Sequence, residues 1–345
     1  MGWMVKGWKI LLLPLLVTAC SNASAGITTQ RLPIPLADFS GVAWMPGGSI
    51  IVSYNSDPLD PLSAPRLWRM QPNGRGLSPL SITVESTCTK ESFLNPSALP
   101  DGRLGFLRTC GRRSGSQELT LVAYDVNSGN LTQLVNGPLN LSFGQFTWNP
   151  SLTEGLYGEV GDPCVGIVGL TPKGIEYLPV VIKDGASSWS LDEIFRLREG
   201  DCAGTGQASW PAWSPDGRRI GFLASSAAIG SDTLSRLDAP WNLYLMDSKK
   251  QVPTVVLTGI VHPRSLVWSP DNRFLALSGE VRGEEATWLF QPETGALKIL
   301  TRTVLSAIAW DPGGLGMVGL HDTNSGQWPP KTEILVLRFA RKMFT

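Results

Sequence analysis

Histidine and the familiar catalytic motifs are nearly absent from this chain. Among its 345 residues there are only two histidines, His262 and His321; both are predicted to lie in loops and are flanked by ordinary loop residues. No Gly-x-Ser-x-Gly segment occurs, so the strained turn that presents the nucleophilic serine of α/β-hydrolases is missing. A Gly-Lys-Ser/Thr phosphate loop and an acidic EF-hand loop are missing as well. The sequence therefore predicts no catalytic residue, no cofactor and no metal site.

An excess of positive charge is also lacking. Lys+Arg and Asp+Glu number 29 each, and no basic block or stripe occurs. Because proteins that bind nucleic acid carry clustered basic residues, we exclude nucleic acid as a partner. Low-complexity tracts are absent, and 13 Trp argue against disorder. With 37 Gly, 26 Pro and only 17% charged residues, the composition favours a turn-rich β protein.

Residues 1–19 have the pattern of a signal peptide. Two lysines precede an apolar run from Ile10 to Ala19, which is shorter than the roughly 20 residues that a membrane span needs. The run ends in LVTAC, which resembles the lipobox of bacterial lipoproteins. That resemblance implies cleavage before Cys20, acylation of its thiol and a flexible tether over residues 20–28. The alternative is an ordinary secreted protein with an incidental cysteine.

The segment Trp213-Ser-Pro-Asp-Gly217 predicts a β-hairpin. Pro215 presets φ near the value that the turn needs, and Gly217 supplies the positive φ. An apolar run follows the turn, from Ile220 to Ala224. The same pattern recurs along the chain, with related turns beginning at Trp44, Ala98, Trp148, Trp268 and Trp310.

Each copy of the hairpin is followed by a second pair of β-rich segments, and a glycine turn usually separates them. We therefore expect units of four strands, A to D, with strand A ending at the tryptophan position. The spacing of the copies is close to the roughly 40–50 residues of propeller blades. The pattern resembles the TolB-type, WD40-like repeat family, although Ala98 replaces tryptophan in the second copy. The six copies of the hairpin, together with that resemblance, predict a six-bladed β-propeller of four-stranded antiparallel blades over residues 29–345.

The two ends of the chain predict how the ring closes. The sixth C strand (332–340) is followed by no D strand, whereas a β-rich segment, Thr29 to Ile34, precedes the first A strand. We expect this N-terminal strand to complete the last blade, since an unpaired edge would invite aggregation.

The strand order also assigns the loops to two faces. A–B and C–D turns share one face, called here the turn face, and B–C and D–A loops share the other, called the long-loop face. Every long insertion is predicted on the long-loop face: 55–66, 183–208 and 225–240. The second contains a predicted turn of helix at 190–198, where Asp192 and Glu193 are read as a solvated helix face rather than an acid–base pair.

Four cysteines remain besides Cys20, and all are predicted on the long-loop face. An even number of cysteines in an exported protein indicates disulfides. Of the three pairings, we favour Cys88–Cys110 and Cys164–Cys202, because each joins loops of one blade or of adjacent blades. A metal site is the rival interpretation, but no Cys-x-x-Cys spacing occurs.

Two functions from different classes fit this sequence. The favoured one is a binding or scaffolding module in the cell envelope, lipid-anchored to a bacterial membrane and facing its extracytoplasmic side. It would hold a protein, peptide or glycan on the long-loop face. The alternative is a propeller enzyme acting on a sugar or lactone, with carboxylates or a metal at the channel mouth. Acidic residues converging on the channel would favour the enzyme, and a mixed or apolar surface would favour the binding module.

Overall fold

The computed structural model describes residues 26–34, 38–55, 64–82, 88–111, 117–139, 144–159, 167–176, 182–183, 186–187, 207–225, 239–249, 253–323 and 331–340. Within these ranges the chain forms strands and turns, without a helix. Consequently no helix of the described part could cross a membrane. The predicted signal peptide, Cys20 and the predicted helical turn at 190–198 lie outside the described residues.

The first three units are separate antiparallel sheets of four strands each, in chain order. An edge strand, β1 (Ile27–Arg31), precedes them. The first unit comprises β2 (Asp38–Trp44), β3 (Ile50–Asn55), β4 (Arg66–Met70) and β5 (Ser78–Pro79). The second comprises β6 (Lys90–Ala98), β7 (Leu104–Gly111), β8 (Gln117–Tyr124) and β9 (Leu131–Gln133). The third comprises β10 (Gly144–Trp148), β11 (Gly155–Glu159), β12 (Ile167–Thr171) and β13 (Gly174–Glu176). A two-stranded ribbon follows, formed by β14 (Ile182–Lys183) and β15 (Ala186–Ser187).

The fourth and fifth units form one seven-stranded sheet. Its strands are β16 (Gln207–Trp213), β17 (Arg219–Ser225), β18 (Trp241–Asp247), β19 (Pro253–Trp268), β20 (Leu275–Val281), β21 (Glu284–Gln291) and β22 (Ala296–Thr301). The long strand β19 pairs with β18 along its first part and with β20 along its second, and Ile260 pairs with both Trp241 and Val281. No turn interrupts this D–A passage, so strand D of one unit continues directly as strand A of the next.

The predicted count of six blades is therefore wrong. Four units are separate four-stranded blades, namely the first, second, third and last. The fourth and fifth predicted blades are fused, because their D and A strands are two parts of the single strand β19.

The last blade confirms the predicted closure. It comprises β23 (Ala307–Trp310), β24 (Gly316–Asp322) and β25 (Thr332–Phe339), with β1 as its outermost strand. Ile27 pairs with Phe339 and Arg31 with Leu335. The paired strand begins and ends slightly earlier than the predicted Thr29–Ile34, but the N–H of Leu32 still donates to the carbonyl of Ile334 at 3.0 Å. The first and last strands of the described chain are thus paired in one sheet.

The innermost strands form a closed ring. Each innermost strand contacts the next one in the series β2, β6, β10, β16, β19 and β23, and β23 in turn contacts β2. The tryptophan that ends each of five innermost strands is buried between units: Trp44, Trp148, Trp213, Trp268 and Trp310. This confirms an all-β propeller arrangement, in which flat units bury their faces against neighbours.

The A–B turns share one hydrogen-bonding pattern, which explains the repeated sequence signature. In the fourth unit the N–H of Ser214 donates to the carbonyl of Arg219, and the N–H of Gly217 donates to the carbonyl of Ser214, both at 2.8 Å. Gly217 has φ 71°, a value that glycine adopts without strain. Matching pairs close the turns that begin at Met45, Leu99, Asn149, Ser269 and Asp311.

Asp216 adds side-chain hydrogen bonds to this turn. It accepts from Ser214 Oγ at 2.6 Å and from the N–H of Arg218 at 3.0 Å. Partial burial alone would raise the pKa of Asp216, but these two hydrogen bonds and the neighbouring arginines hold its pKa below the usual 3.8. Ser269 and Asp271 repeat the contact at 2.6 Å in the fifth unit.

Candidate functional site

A central channel of about 290 Å³ runs between the innermost strands of all six units. Its described lining residues are small, polar or aromatic, and none of them carries a charge. The polar members are Ser40, Asn95, Ser97, Gln145, Thr147, Ser265 and Ser306. Acidic residues of this part of the chain therefore do not converge on the channel.

Several of these polar side chains hold neighbouring units together. Asn95 Nδ2 donates to the carbonyl of Gly144 in the next unit at 2.6 Å. Thr147 Oγ1 accepts from the N–H of Trp213 at 3.2 Å, again across a unit boundary. Because these groups already satisfy backbone partners, they stabilise the ring and do not form an acid–base pair.

Three innermost strands carry a bulge at an X-Pro pair. Asn95, Trp210 and His262 have φ of 50°, 51° and 49°, although none is glycine, and each precedes a proline. The strand register shifts at all three positions. Proline has no N–H for the ladder, and a bulge turns a side chain away from the regular alternation.

The bulges direct their side chains to places that a regular strand would not reach. Trp210 Nε1, for example, donates to the carbonyl of Arg264 at 3.1 Å. These bulges were not predicted from the sequence. Its signal was the proline in a segment that otherwise reads as a central strand.

The third bulge brings His262 beside two glutamates. Ligand atoms of His262, Glu280 and Glu285 all lie within 4.8 Å of one another. The sequence suggested a loop at His262, but this residue lies in β19, because the strand continues through the D–A passage. Neither glutamate was singled out from the sequence. The three residues lie where β20 turns into β21, at the long-loop face.

His321 also lies in a strand and not in the predicted loop. It belongs to β24, and its Nδ1 lies 3.2 Å from the carbonyl oxygen of Val304. Its cross-strand partner is Glu333. The two histidines thus occupy different units.

The disulfide between Cys88 and Cys110 confirms one predicted pairing. Their Cα atoms are 5.1 Å apart; Cys88 lies just before the second A strand and Cys110 near the end of the second B strand. This places both cysteines on one face, as the strand order required. Cys164 and Cys202 lie outside the described residues, so their pairing stays a prediction.

An ion-pair cluster supports the strand ends next to this disulfide. Glu91 contacts Arg108 Nε at 2.5 Å and Arg66 Nη1 at 3.3 Å. Arg108 Nη2 also lies 3.5 Å from Cys88 Sγ. The Arg66 guanidinium stacks over the ring of Phe93 at 5.1 Å. Glu91 and Arg108 are partly buried and Arg66 is exposed, and together these groups join strands of the first and second units.

No protein-family model matches the chain, and the curated proteins contain no match to it. Solved structures similar to it include TolB from Acinetobacter baumannii, with 15% identity, 84% of this chain covered and a TM-score of 0.54. The match spans 63% of that TolB, less than two thirds of its length. An α-L-arabinanase from Penicillium chrysogenum, complexed with arabinobiose, matches 90% of this chain and 98% of its own at 12% identity and a TM-score of 0.54. An oligogalacturonate lyase in complex with manganese matches 92% of both chains at 10% identity and a TM-score of 0.52. At these identities the likeness shows a propeller fold alone.

Proposed function

We propose that the protein is a membrane-anchored lipoprotein of the bacterial cell envelope and acts as a binding or scaffolding module. Its acylated Cys20 would hold it on the extracytoplasmic side of a membrane. Its long-loop face would hold a protein, peptide or glycan. The repeats resemble those of TolB-type propellers, and the observed propeller fold is compatible with this resemblance.

The uncharged channel is the observation that carries this proposal. An enzyme acting at the channel would need a general acid or base there, and the described lining residues supply none. The two faces also differ, since the A–B turns are short and uniform whereas the B strands end at connections of very different length. Two such connections are 56–65 and 226–240, compared with Arg282-Gly283 between β20 and β21. Loops of variable length on a rigid ring are a common place for binding.

Replacing Cys20 with Ser tests the anchor. We expect the Cys20→Ser protein to move from the membrane to the soluble extracytoplasmic fraction, because acyl chains supply about 0.8 kcal/mol per buried methylene. Fractionation followed by immunoblotting measures this. A Cys20→Ser protein that stays with the membrane would refute the acyl anchor.

Capture from solubilised membranes tests the binding face. The full-length lipoprotein is cross-linked in cells, purified and compared with a variant whose residues 227–238 are replaced by a Gly-Ser segment of equal length. The control is Leu315→Ser, which changes an exposed side chain on the turn face. The proposal expects a specific partner that the loop variant loses and the control keeps. A partner captured equally by both variants would place binding elsewhere.

A propeller enzyme acting on a sugar or lactone is the second candidate. The observation in its favour is the set His262, Glu280 and Glu285 at the long-loop face, which contains acid–base groups. The test is incubation with uronic-acid oligosaccharides and sugar lactones, followed by product analysis. Turnover that disappears in Glu280→Gln would support this candidate, and a complete lack of turnover would count against it.

A further inference from the structure

We propose that His262, Glu280 and Glu285 bind a divalent transition-metal ion, Zn²⁺ in particular. This inference does not depend on the membrane anchor or on the partner of the long-loop face. It concerns a site built by β19, β20 and β21 alone.

The strand register places the two carboxylates side by side. Glu280 and Glu285 are directly opposite each other in the antiparallel pair of β20 and β21. Side chains at such positions point to the same face of a sheet. His262 approaches from β19, where Val261 is the cross-strand partner of Glu280. Three potential ligands from three adjacent strands therefore converge, with their ligand atoms within 4.8 Å of one another.

Two carboxylates lie side by side at this place. Like charges directly opposite in a sheet are destabilising. The neighbouring Glu284 forms an ion pair with Arg302. By contrast, the described part of the chain provides no Lys or Arg that forms an ion pair with Glu280 or Glu285. A bound divalent ion would offset this repulsion.

The backbone around the three residues is held in place. His262 has a left-handed φ of 49° and is followed by Pro263, which fixes the exit of the bulge. Gly279 makes room for it, since a Cβ there would lie 3.0 Å from the carbonyl oxygen of Val261 and 3.2 Å from that of His262. The Gly279 carbonyl in turn accepts a hydrogen bond from Trp288 Nε1 at 3.1 Å. Ligands on braced strands lose little conformational entropy when they bind an ion.

The donor set selects the kind of metal. Imidazole favours Zn²⁺ and neighbouring transition metals, whereas Ca²⁺ and Mg²⁺ prefer oxygen ligands throughout. Three protein ligands leave at least one coordination position open for water or another donor, as in many zinc sites. With metal–ligand bonds of about 2.0–2.1 Å, ligand atoms around a tetrahedral ion lie about 3.3 Å apart. Rotation of the exposed Glu285 side chain would bring its carboxylate from the observed separation, up to 4.8 Å, to the ligand–ligand distance that the ion needs.

Isothermal titration calorimetry with ZnCl₂ tests this site. The full-length protein is used in detergent with free thiols blocked by N-ethylmaleimide, so that cysteines cannot bind the metal. We expect one Zn²⁺ per chain. Glu280→Gln and Glu285→Gln should each weaken binding about tenfold or more, since even a ligand's supporting partner is worth about 10–100-fold. His262→Asn should do the same, and asparagine tolerates the left-handed φ.

Two matched controls make the result specific. Glu284→Gln removes an adjacent carboxylate that is already paired with Arg302, and His321→Gln removes the other histidine of the chain. Both should bind Zn²⁺ like the unmodified protein. Circular dichroism verifies that every variant is folded. The proposal is overturned if the unmodified protein does not bind Zn²⁺, if the three site variants bind it equally well, or if Ca²⁺ binds at least as tightly.

Discussion

The A–B turns and the B–C ends of the blades lie at opposite ends of the same strands, yet different features of the sequence shape them. Each A–B turn closes with the same pair of backbone hydrogen bonds, and serine–aspartate contacts repeat in the fourth and fifth units. The opposite ends depend on contacts that occur once, such as the Cys88–Cys110 disulfide and the Glu91–Arg108 ion pair. A repeated contact can be lost from one unit while the others keep theirs. Removing a single unrepeated contact should therefore lower the free energy of unfolding more than removing a single repeated contact.

The largest effect is expected from the disulfide at the long-loop face. Replacing both Cys88 and Cys110 with Ser opens a loop with a sequence separation of 22. The free energy of unfolding should fall by roughly 3 kcal/mol, because the unfolded chain regains entropy. Urea unfolding of the double variant and the parent protein measures this. Equal midpoints would show that this bond adds nothing to stability.

A glycine pair gives the next test of the comparison. Gly158 lies near the long-loop end of β11, and a Cβ there would lie 2.5 Å from Pro211 Cδ in the next unit. Gly158→Ala should therefore destabilise the protein by about 1–3 kcal/mol through overpacking. A Cβ added to Gly47, in the first A–B turn, would meet nothing within 4 Å, so Gly47→Ala is the matched control. Thermal unfolding should separate the two variants, and equal melting temperatures would contradict the difference between the faces.

The smallest effect is a pH dependence at the turn face. Hydrogen bonds from Ser214 and Arg218 lower the pKa of Asp216 below 3.8, against the opposing effect of partial burial. A lowered folded-state pKa stabilises the protein above the unfolded-state value, and this contribution disappears as the pH falls through the folded-state value. Asp216→Asn should thus be less stable than the parent at pH 6, with a smaller difference in strong acid. Denaturant unfolding at both pH values measures it, and a difference that grows in acid would reverse the sign.

Removing the donor provides the control for that measurement. Ser214→Ala eliminates the 2.6 Å contact to Asp216, so it should reduce the pH dependence without changing the carboxylate itself. If Ser214→Ala left the pH dependence intact, another group would be responsible for it.

The features that the sequence predicts correctly are those with a local chemical signature. Pro215 and Gly217 mark a hairpin because their allowed φ values fit its turn. The pairing of β1 with β25 was predicted from the missing strand at one end of the chain and the surplus strand at the other. Cys88 and Cys110 were paired from the strand order alone.

The features that it misses depend on pairing between distant or irregular segments. The fused sheet arises because β19 continues where a loop was expected, and no residue type marks that continuity. The approach of His262 to Glu280 requires a register shift between Val261 and Ser265. A one-residue change in register would move Glu280 to the other face of its sheet. The candidate metal site therefore could not be predicted without the strand register.

The sharing of β19 has a consequence for how the ring comes apart. In a propeller of separate blades, one blade can open while its neighbours keep their own ladders. Here the seven strands from β16 to β22 are hydrogen-bonded neighbours in one sheet, and Ile260 is paired with residues of both halves. Fraying of β18 would disturb the same backbone that positions β20. The fourth and fifth units should consequently exchange their amide hydrogens as one cooperative block, and the His262 bulge lies at its centre.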